Sequence, residues 1–231
     1  MKSIIETDSE FICDIQAPCF QTLSKTEIEL IRASKTQVLF RKGENLTKQG
    51  TYASYILFVI NGLVKQYVEG DGTHNFNLRI IHQGEFVGLS AVFLKNTINY
   101  SSIAITDTQV FLIEKEAISK VIKQNGMFAY NIITRYSEHN TILFDTIRNL
   151  MYKQINGRMA ETLLNLEKES YNDSSIFPLL SRKDIADFAG TTTESAVKIL
   201  KNFEKDGIIR LEEKNIVINN KDLLQEISKR G

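Results

Sequence analysis

Residues 181–201 read Ser181-Arg182-Lys183-Asp184-Ile185-Ala186-Asp187-Phe188-Ala189-Gly190-Thr191-Thr192-Thr193-Glu194-Ser195-Ala196-Val197-Lys198-Ile199-Leu200-Lys201. Ser181 can cap a helix whose third residue, Asp184, is an acidic near-match to a capping box. Gly190 stops that helix, because glycine adopts the left-handed conformation that ends a helical run without a Cβ penalty. Thr191 and Thr192 open a second helix, Thr193 to Lys205, which Asp206-Gly207 closes. Ile208-Ile209-Arg210-Leu211 and Ile216-Val217-Ile218 then flank Glu212-Glu213-Lys214-Asn215 as a β-hairpin. Two helices joined by a tight glycine turn and followed by a hairpin make a winged helix-turn-helix, a DNA-reading module.

Upstream, Tyr171-Asn172-Asp173-Ser174-Ser175 is a polar loop that Pro178 helps close, and Gly157 to Leu166 is helical. From about Glu116 to Lys153 the pattern is helical as well. Within it Ile133, Tyr136, Asn140, Leu143, Ile147 and Leu150 recur at steps of three and four, an a/d seam. β-Branched residues at a, Leu at d and one polar Asn at a favour a two-stranded parallel coil and hence a homodimer. The alternative is a long helix packed on its own domain, which leaves Asn140 unexplained.

Residues 36–113 carry a different period: short runs rich in Val, Ile and Phe, punctuated by glycine. Val38-Leu39-Phe40, Tyr55 to Ile60, Leu63 to Val68, Asn75 to Ile80, Glu85-Phe86-Val87, Ser102 to Ile105 and Gln109 to Ile113 read as strands. Asn61-Gly62 is the strongest short-range hairpin signal, and predicts that Tyr55–Ile60 pairs directly with Leu63–Val68. Many short antiparallel strands with regular turns mean a barrel or roll. Three regions follow: a roll over 1–115, a dimerisation helix over 116–153, and the winged helix-turn-helix over 154–231.

Among 231 residues, 28 Lys+Arg balance 28 Asp+Glu, and the 42% hydrophobic content is that of a globular chain. No run of eighteen apolar residues exists and the first residues include Glu6 and Asp8, which argues against a membrane span or an export signal and for a cytoplasmic protein. Bulk charge does not favour nucleic acid: beyond Lys153 there are twelve Lys and Arg against thirteen Asp and Glu. Placement does, since Arg182, Lys183, Lys198 and Lys201 gather on the helix-turn-helix.

These residues resemble the Crp/Fnr transcription regulators, related to the cyclic-AMP receptor protein, over nearly the whole chain. Gln83-Gly84-Glu85-Phe86-Val87-Gly88 resembles the roll motif before that family's nucleotide cassette, and Asn156 to Leu166 its hinge and first DNA-binding helix. Leu180 to Gly190 with Thr193-Glu194-Ser195 and Lys198 to Lys201 resembles its helix-turn-helix signature. The resemblance implies an α+β fold: an N-terminal antiparallel β-roll like the cyclic-nucleotide-binding jelly roll, a long dimerisation helix and a C-terminal winged helix-turn-helix. It also implies a bacterial homodimer that binds double-stranded DNA in the major groove at a pseudo-palindromic operator, with RNA polymerase as a further partner.

The expected DNA-binding residues are Ser181, Arg182, Lys183, Thr191, Thr192, Thr193, Glu194, Ser195, Lys198 and Lys201. Glu194 can accept from a cytosine amine, Lys198 can donate to guanine, and Thr193 or Ser195 can contact either base type or a thymine methyl. The resemblance places Glu194 and Lys198 at base-reading positions, though many relatives have Arg where Lys198 stands. Arg182 and Lys183 suit phosphate contacts. The plainer alternative for Glu194 is an exposed acid pairing with Lys198 at i,i+4.

The expected effector pocket comprises Phe86, Gly88, Leu89, Val92, Phe93, Tyr100 and Ser101, against the heptad helix. Where cyclic-AMP-binding relatives carry Glu after this glycine and an Arg for the phosphate, this chain has Leu89 and no Arg; Lys95 is the only cation in the cassette. A buried phosphate needs a charged partner, so the signal is expected not to be cyclic AMP but another small molecule, or none. Equally, these residues can be plain roll core.

Cys13 and Cys19 match no common zinc spacing, and two cysteines fall short of the four that hold an iron–sulfur cluster. Free thiols, a redox disulfide and a cluster shared between chains all remain open. His74, His82 and His139 are scattered and form no haem or metal site. No metal or cofactor is expected, and no phosphate-cradling loop or catalytic triad points to an enzyme. The competing function class is a ligand-binding module that signals by protein contact without DNA; residues 181–201 argue against it.

Overall fold

The computed structural model describes residues 1–5, 20–71, 74–94 and 97–231. Cys13, Cys19 and Lys95 lie outside the described residues. The chain divides into two compact units, Met1–Glu69 with Ile80–Thr141, and Gly70–Arg79 with Ile142–Gly231.

The first unit is a two-sheet roll with helices on one side. Its elements are β1 (Lys2–Ile4), α1 (Lys25–Ala33), β2 (Lys35–Phe40), β3 (Asn45–Thr47), β4 (Tyr55–Asn61), β5 (Val64–Glu69), the last two residues of β6 (Asn75–Ile81), β7 (Phe86–Val87), β8 (Ser101–Ala104), β9 (Thr108–Glu114), α2 (Lys115–Gln124) and α3 (Gly126–Tyr152) as far as Thr141. One sheet has the order β1-β2-β9-β4-β7, the other β3-β8-β5-β6. Val38, Leu57, Val59 and Val110 of the first sheet meet Val64, Ile81 and Ala104 of the second in one core. Alternate residues of the first sheet, Ile56, Phe58, Phe111 and Ile113, point the other way into a second core under α1, α2 and α3. Strand β4 is therefore buried on both faces, which explains its unbroken apolar run Ile56 to Ile60.

Asn61-Gly62 does not join a paired hairpin. Strand β4 lies in the first sheet and β5 in the second, so the turn is a corner of the roll. The pairing of β4 with β9 shifts register between Val59 and Asn61, which turns the chain out of the sheet. Gly62 has φ +96°, and a Cβ there would fall 2.6 Å from the Asp107 carbonyl oxygen. Glycine is required by that close approach, not by a two-residue turn. The neighbour of β5 along the chain is β6, reached through Gly70, whose N–H donates to the His74 carbonyl at 3.0 Å.

The helical region read over 116–153 is two helices. Asn125 leaves helical geometry (φ −115°, ψ 100°), and its Oδ1 accepts the Phe128 N–H at 2.9 Å, capping α3. Its Nδ2 donates to the Thr22 carbonyl and to Glu27 Oε2, both at 3.0 Å. Helix α3 docks on the roll through Phe128 and Ile132, both fully buried. Each contributes roughly 2–3 kcal/mol by burial. The partly exposed His139–Glu85 pair (3.4 Å) is worth under about 1 kcal/mol, so apolar packing holds the helix.

The second unit holds α4 (Ile155–Glu167), β10 (Ser170–Tyr171), β11 (Ser174–Ser175), α5 (Arg182–Ala189), α6 (Thr193–Lys205), β12 (Ile209–Glu212), β13 (Asn215–Ile218) and α7 (Lys221–Arg230). Its core gathers Met159, Leu163, Phe177, Ile185, Leu200, Ile216 and Leu224. The polar loop read at 171–175 is a tight hairpin: Asn172 and Asp173 take φ +50° and +58°, as two-residue turns require. Helix α7 was not anticipated. It is capped by Asn220, whose Oδ1 accepts the Leu223 N–H at 3.0 Å, and it lays Leu224 and Ser228 against the core.

Candidate nucleic-acid interface

The helix-turn-helix is built by reciprocal capping. Ser181 Oγ accepts the Asp184 N–H at 3.0 Å while Asp184 Oδ2 accepts the Ser181 N–H at 2.8 Å, completing the box at the start of α5. Gly190 closes α5 in the left-handed conformation, and the Thr191 N–H returns to the Ala186 carbonyl at 3.0 Å. Thr192 caps α6 through its Oγ1, which accepts the Ser195 N–H at 3.2 Å. From α4, Arg158 holds the turn: its Nε donates to the Ala189 carbonyl at 3.0 Å and its Nη2 to that of Gly190 at 3.3 Å. Its Nη1 donates to the Lys153 carbonyl at 3.0 Å, at the end of α3. The sequence quotes Arg158 within the hinge motif, but nothing in the residue pattern shows this three-carbonyl role.

Helix α6 buries Ala196, Ile199, Leu200 and Phe203 and so presents its other face outward. Thr192, Glu194, Lys198 and Lys201 are exposed on it, with Thr191, Thr193 and Ser195 half-buried beside them. Glu194 is held below the usual carboxylate range, first by its own backbone N–H and then by the Thr192 hydroxyl, both at the positive end of the helix. It is an acceptor at neutral pH. Among the described residues no ion pair joins Glu194 to Lys198, so the i,i+4 alternative is not what the structure shows.

Two other basic residues are placed differently. Lys183 Nζ lies 2.9 Å from Asp187, whose side chain is nearly buried. Arg182 is half-buried, its Nη2 donates to the Glu213 carbonyl of the wing turn at 3.3 Å, and burial pulls its pKa down. The wing itself carries the Arg210–Glu212 pair (2.6 Å).

In the roll, Phe86 and Leu89 are buried core residues, and Val92, Tyr100 and Tyr136 pack on the same cluster. Gly88 starts a 3-10 turn, Leu89–Val92, and its N–H donates to the Tyr100 hydroxyl at 2.7 Å. Phe93 is 55% exposed and meets the Tyr136 ring edge-on at 6.3 Å. Burial pushes the Tyr136 phenol up to about 12, so it stays neutral. Ser101 is engaged elsewhere: its Oγ donates to Glu69 at 2.5 Å and accepts the Gln49 N–H at 2.9 Å. Of the pocket residues, then, six share one neighbourhood and Ser101 serves another. None of the seven is charged.

On α3, Ile133 is 63% exposed and Ile147 51%, while Asn140, Leu143 and Leu150 are exposed beside them. Tyr136 is drawn inward onto the roll instead. Arg135 Nη1 donates to the Gly84 carbonyl at 3.0 Å, one residue from Glu85, the partner of His139. Among the described residues no group of His, Cys, Asp or Glu suits a metal ion, and no helix is long and apolar enough to cross a membrane.

Two family models match the chain: a cyclic nucleotide-binding domain over residues 37–125 and a Crp-like helix-turn-helix domain over 157–227. Among characterised proteins it is 22% identical to the cyclic AMP receptor protein of Thermus thermophilus over 92% of this chain and 97% of that protein. It is 25% identical to the anaerobic regulatory protein of Bacillus subtilis, over 88% of each. Among solved structures, the c-di-GMP-responsive global regulator of Xanthomonas campestris superposes with a TM-score of 0.75 at 22% identity, covering 84% of this chain and 99% of that one.

Proposed function

The chain belongs to the Crp/Fnr family of DNA-binding transcription regulators, and from that premise we propose that it works as a homodimer reading a pseudo-palindromic operator with α6. One observation carries the base-reading role: the outward face of α6 presents an ionised, exposed Glu194 one turn before an exposed Lys198, with no ion pair between the two. An acceptor-only carboxylate there suits a cytosine amine, and the ammonium a guanine edge. Thr192, Thr193, Ser195 and Lys201 complete the groove-facing set, with Ser181 and Thr191 at the two helix starts.

The exposed apolar stripe Ile133, Leu143, Ile147 and Leu150, interrupted by Asn140, supports a parallel two-stranded seam. Left in water, such a stripe would favour association. Two α6 helices in a twofold dimer would enter successive major grooves roughly 34 Å apart. We assign the roll to 1–115, the dimerisation region to 116–153 and DNA binding to 154–231, in the cytoplasm, with RNA polymerase as the downstream partner.

The roll is the sensor in this reading, and cyclic AMP is not its signal. Leu89 is buried where a ribose-binding carboxylate would be needed, and no cation stands among the pocket residues. Signal reaches the seam through Arg135, Tyr136 and His139, which tie α3 to Gly84, Phe93 and Glu85. A change at that turn shifts the population of seam arrangements. Selection from random DNA tests the whole: the expected product is an inverted repeat, and a non-palindromic or absent consensus overturns it.

A further inference from the structure

The wing has a turn that its own sequence does not favour. Glu213, the first of the two residues between β12 and β13, sits at φ +44°, where Asn or Gly would be the usual occupant. Support comes from outside the hairpin. Arg182 Nη2, at the start of α5, donates to the Glu213 carbonyl at 3.3 Å. Glu204 Oε1, at the end of α6, accepts the Leu211 N–H at 2.9 Å. Leu211 faces Ile216 across the ladder one step from the Glu212–Asn215 closing pair, so its N–H points off the free edge and needs a partner beyond the hairpin.

We propose that Arg182 and Glu204 are positioning residues that clamp the wing against the recognition helix, and that Arg182 is not a phosphate ligand. The two side chains attract one another as well as gripping the two sides of the wing. Arg182 Nη1 is sealed from solvent and makes no hydrogen bond, and Asn215 Oδ1 beside the turn is likewise buried without a partner. The enclosed Nη1 cannot reach a phosphate and Nη2 is held by the wing turn, whereas Lys198 and Lys201 stand open. The clamp sets where the wing meets the duplex relative to α6. It rests on the DNA-binding reading for its purpose, but not for its existence.

The experiment combines hydrogen exchange on the DNA-free full chain with titration of the DNA selected from a random pool, for Arg182→Ala, Glu204→Ala and Glu204→Gln. Both alanine variants should speed exchange across 209–218 about tenfold while 157–205 stays protected. Glu204→Gln, which keeps the acceptor, should restore protection. Arg182→Ala should weaken DNA binding several-fold with an unchanged salt slope. An unchanged wing with a slope reduced by about 0.9 per protomer, about 1.8 for the dimer, would make Arg182 a phosphate ligand and overturn the clamp. Faster exchange throughout 157–227 would reduce both residues to general stability and overturn it too. If the wild-type chain selects no DNA, the function reading fails, and the exchange arm still decides the clamp.

Discussion

The Tyr100 hydroxyl accepts the Gly88 N–H at 2.7 Å. This side chain answers a backbone donor at the mouth of the 3-10 turn. The roll thus satisfies itself at this point. Tyr100→Phe should leave the Gly88 N–H unpaired and lower stability by about 1–3 kcal/mol in denaturant unfolding. Millimolar cyclic AMP should give neither a thermal shift nor measurable heat with the wild-type chain; a sub-millimolar dissociation constant would overturn the pocket argument.

Glu194→Ala is expected to relax specificity at one base pair per half-site and to cost about 1–3 kcal/mol on the preferred sequence. Binding to a panel of single-base variants reads this directly. An unchanged preference profile would remove Glu194 from base reading.

Leu143→Glu, placed in the exposed stripe of α3, should shift the chain to monomer in sedimentation and abolish high-affinity binding to a palindromic site. Asn140→Ile should do the opposite to stability, raising the melting temperature while loosening register and stoichiometry. A dimer unaffected by Leu143→Glu would place the seam elsewhere.

Glu27 is held below its ordinary pKa, chiefly by the Ser24 backbone N–H and then by Asn125 and the Ser24 hydroxyl. A carboxylate depressed in the folded state stabilises above its unfolded pKa, near 4.5, and that contribution is lost as pH falls through the folded value. Glu27→Gln should therefore lose stability at neutral pH and show a shallower acid limb than the wild type. Identical acid limbs would show that the Ser24–Glu27 capping box at the start of α1 does not contribute.

Gly157 touches the end of α7 so closely that a Cβ would lie 2.8 Å from the Gly231 backbone. Gly157→Ala should destabilise by about 1–3 kcal/mol, and exchange should rise first over 221–231. Nearby, Lys153 Nζ donates to Ser228 at 2.9 Å and pairs with Glu161 at 3.2 Å, and Ser228 Oγ bonds Glu161. Protection of α7 unchanged in the variant would show that the helix end can move aside.

Local chemistry made the helix-turn-helix legible, since Ser181, Asp184, Gly190 and Thr192 each state their position through a backbone partner only a few residues away. The roll was legible as a roll but not in its pairing. Asn61-Gly62 names a tight turn and cannot say which sheet receives the next strand, because that depends on Asp107 and β9, far along the chain. Helix α7 escaped because its apolar residues are few and its burial depends on Gly157. Among the residues expected to contact DNA, residue type says nothing of orientation: Arg182 and Lys198 look alike in sequence, yet one bonds the wing turn and the other faces outward.

Arg158 joins the carbonyls of Lys153, Ala189 and Gly190 in one planar group. With five N–H donors in a fixed fork, such a side chain allows little slack. The last turn of α3 and the loop entering α6 therefore turn as a single piece. In the twofold assembly proposed above, this would make operator spacing a property of the helices that form the seam rather than of the residues assigned to base reading. Changes of side chain along the helix seam would alter which half-site separation is accepted, while changes on α6 would alter which bases are read at each half-site, and the two kinds of specificity could diverge independently.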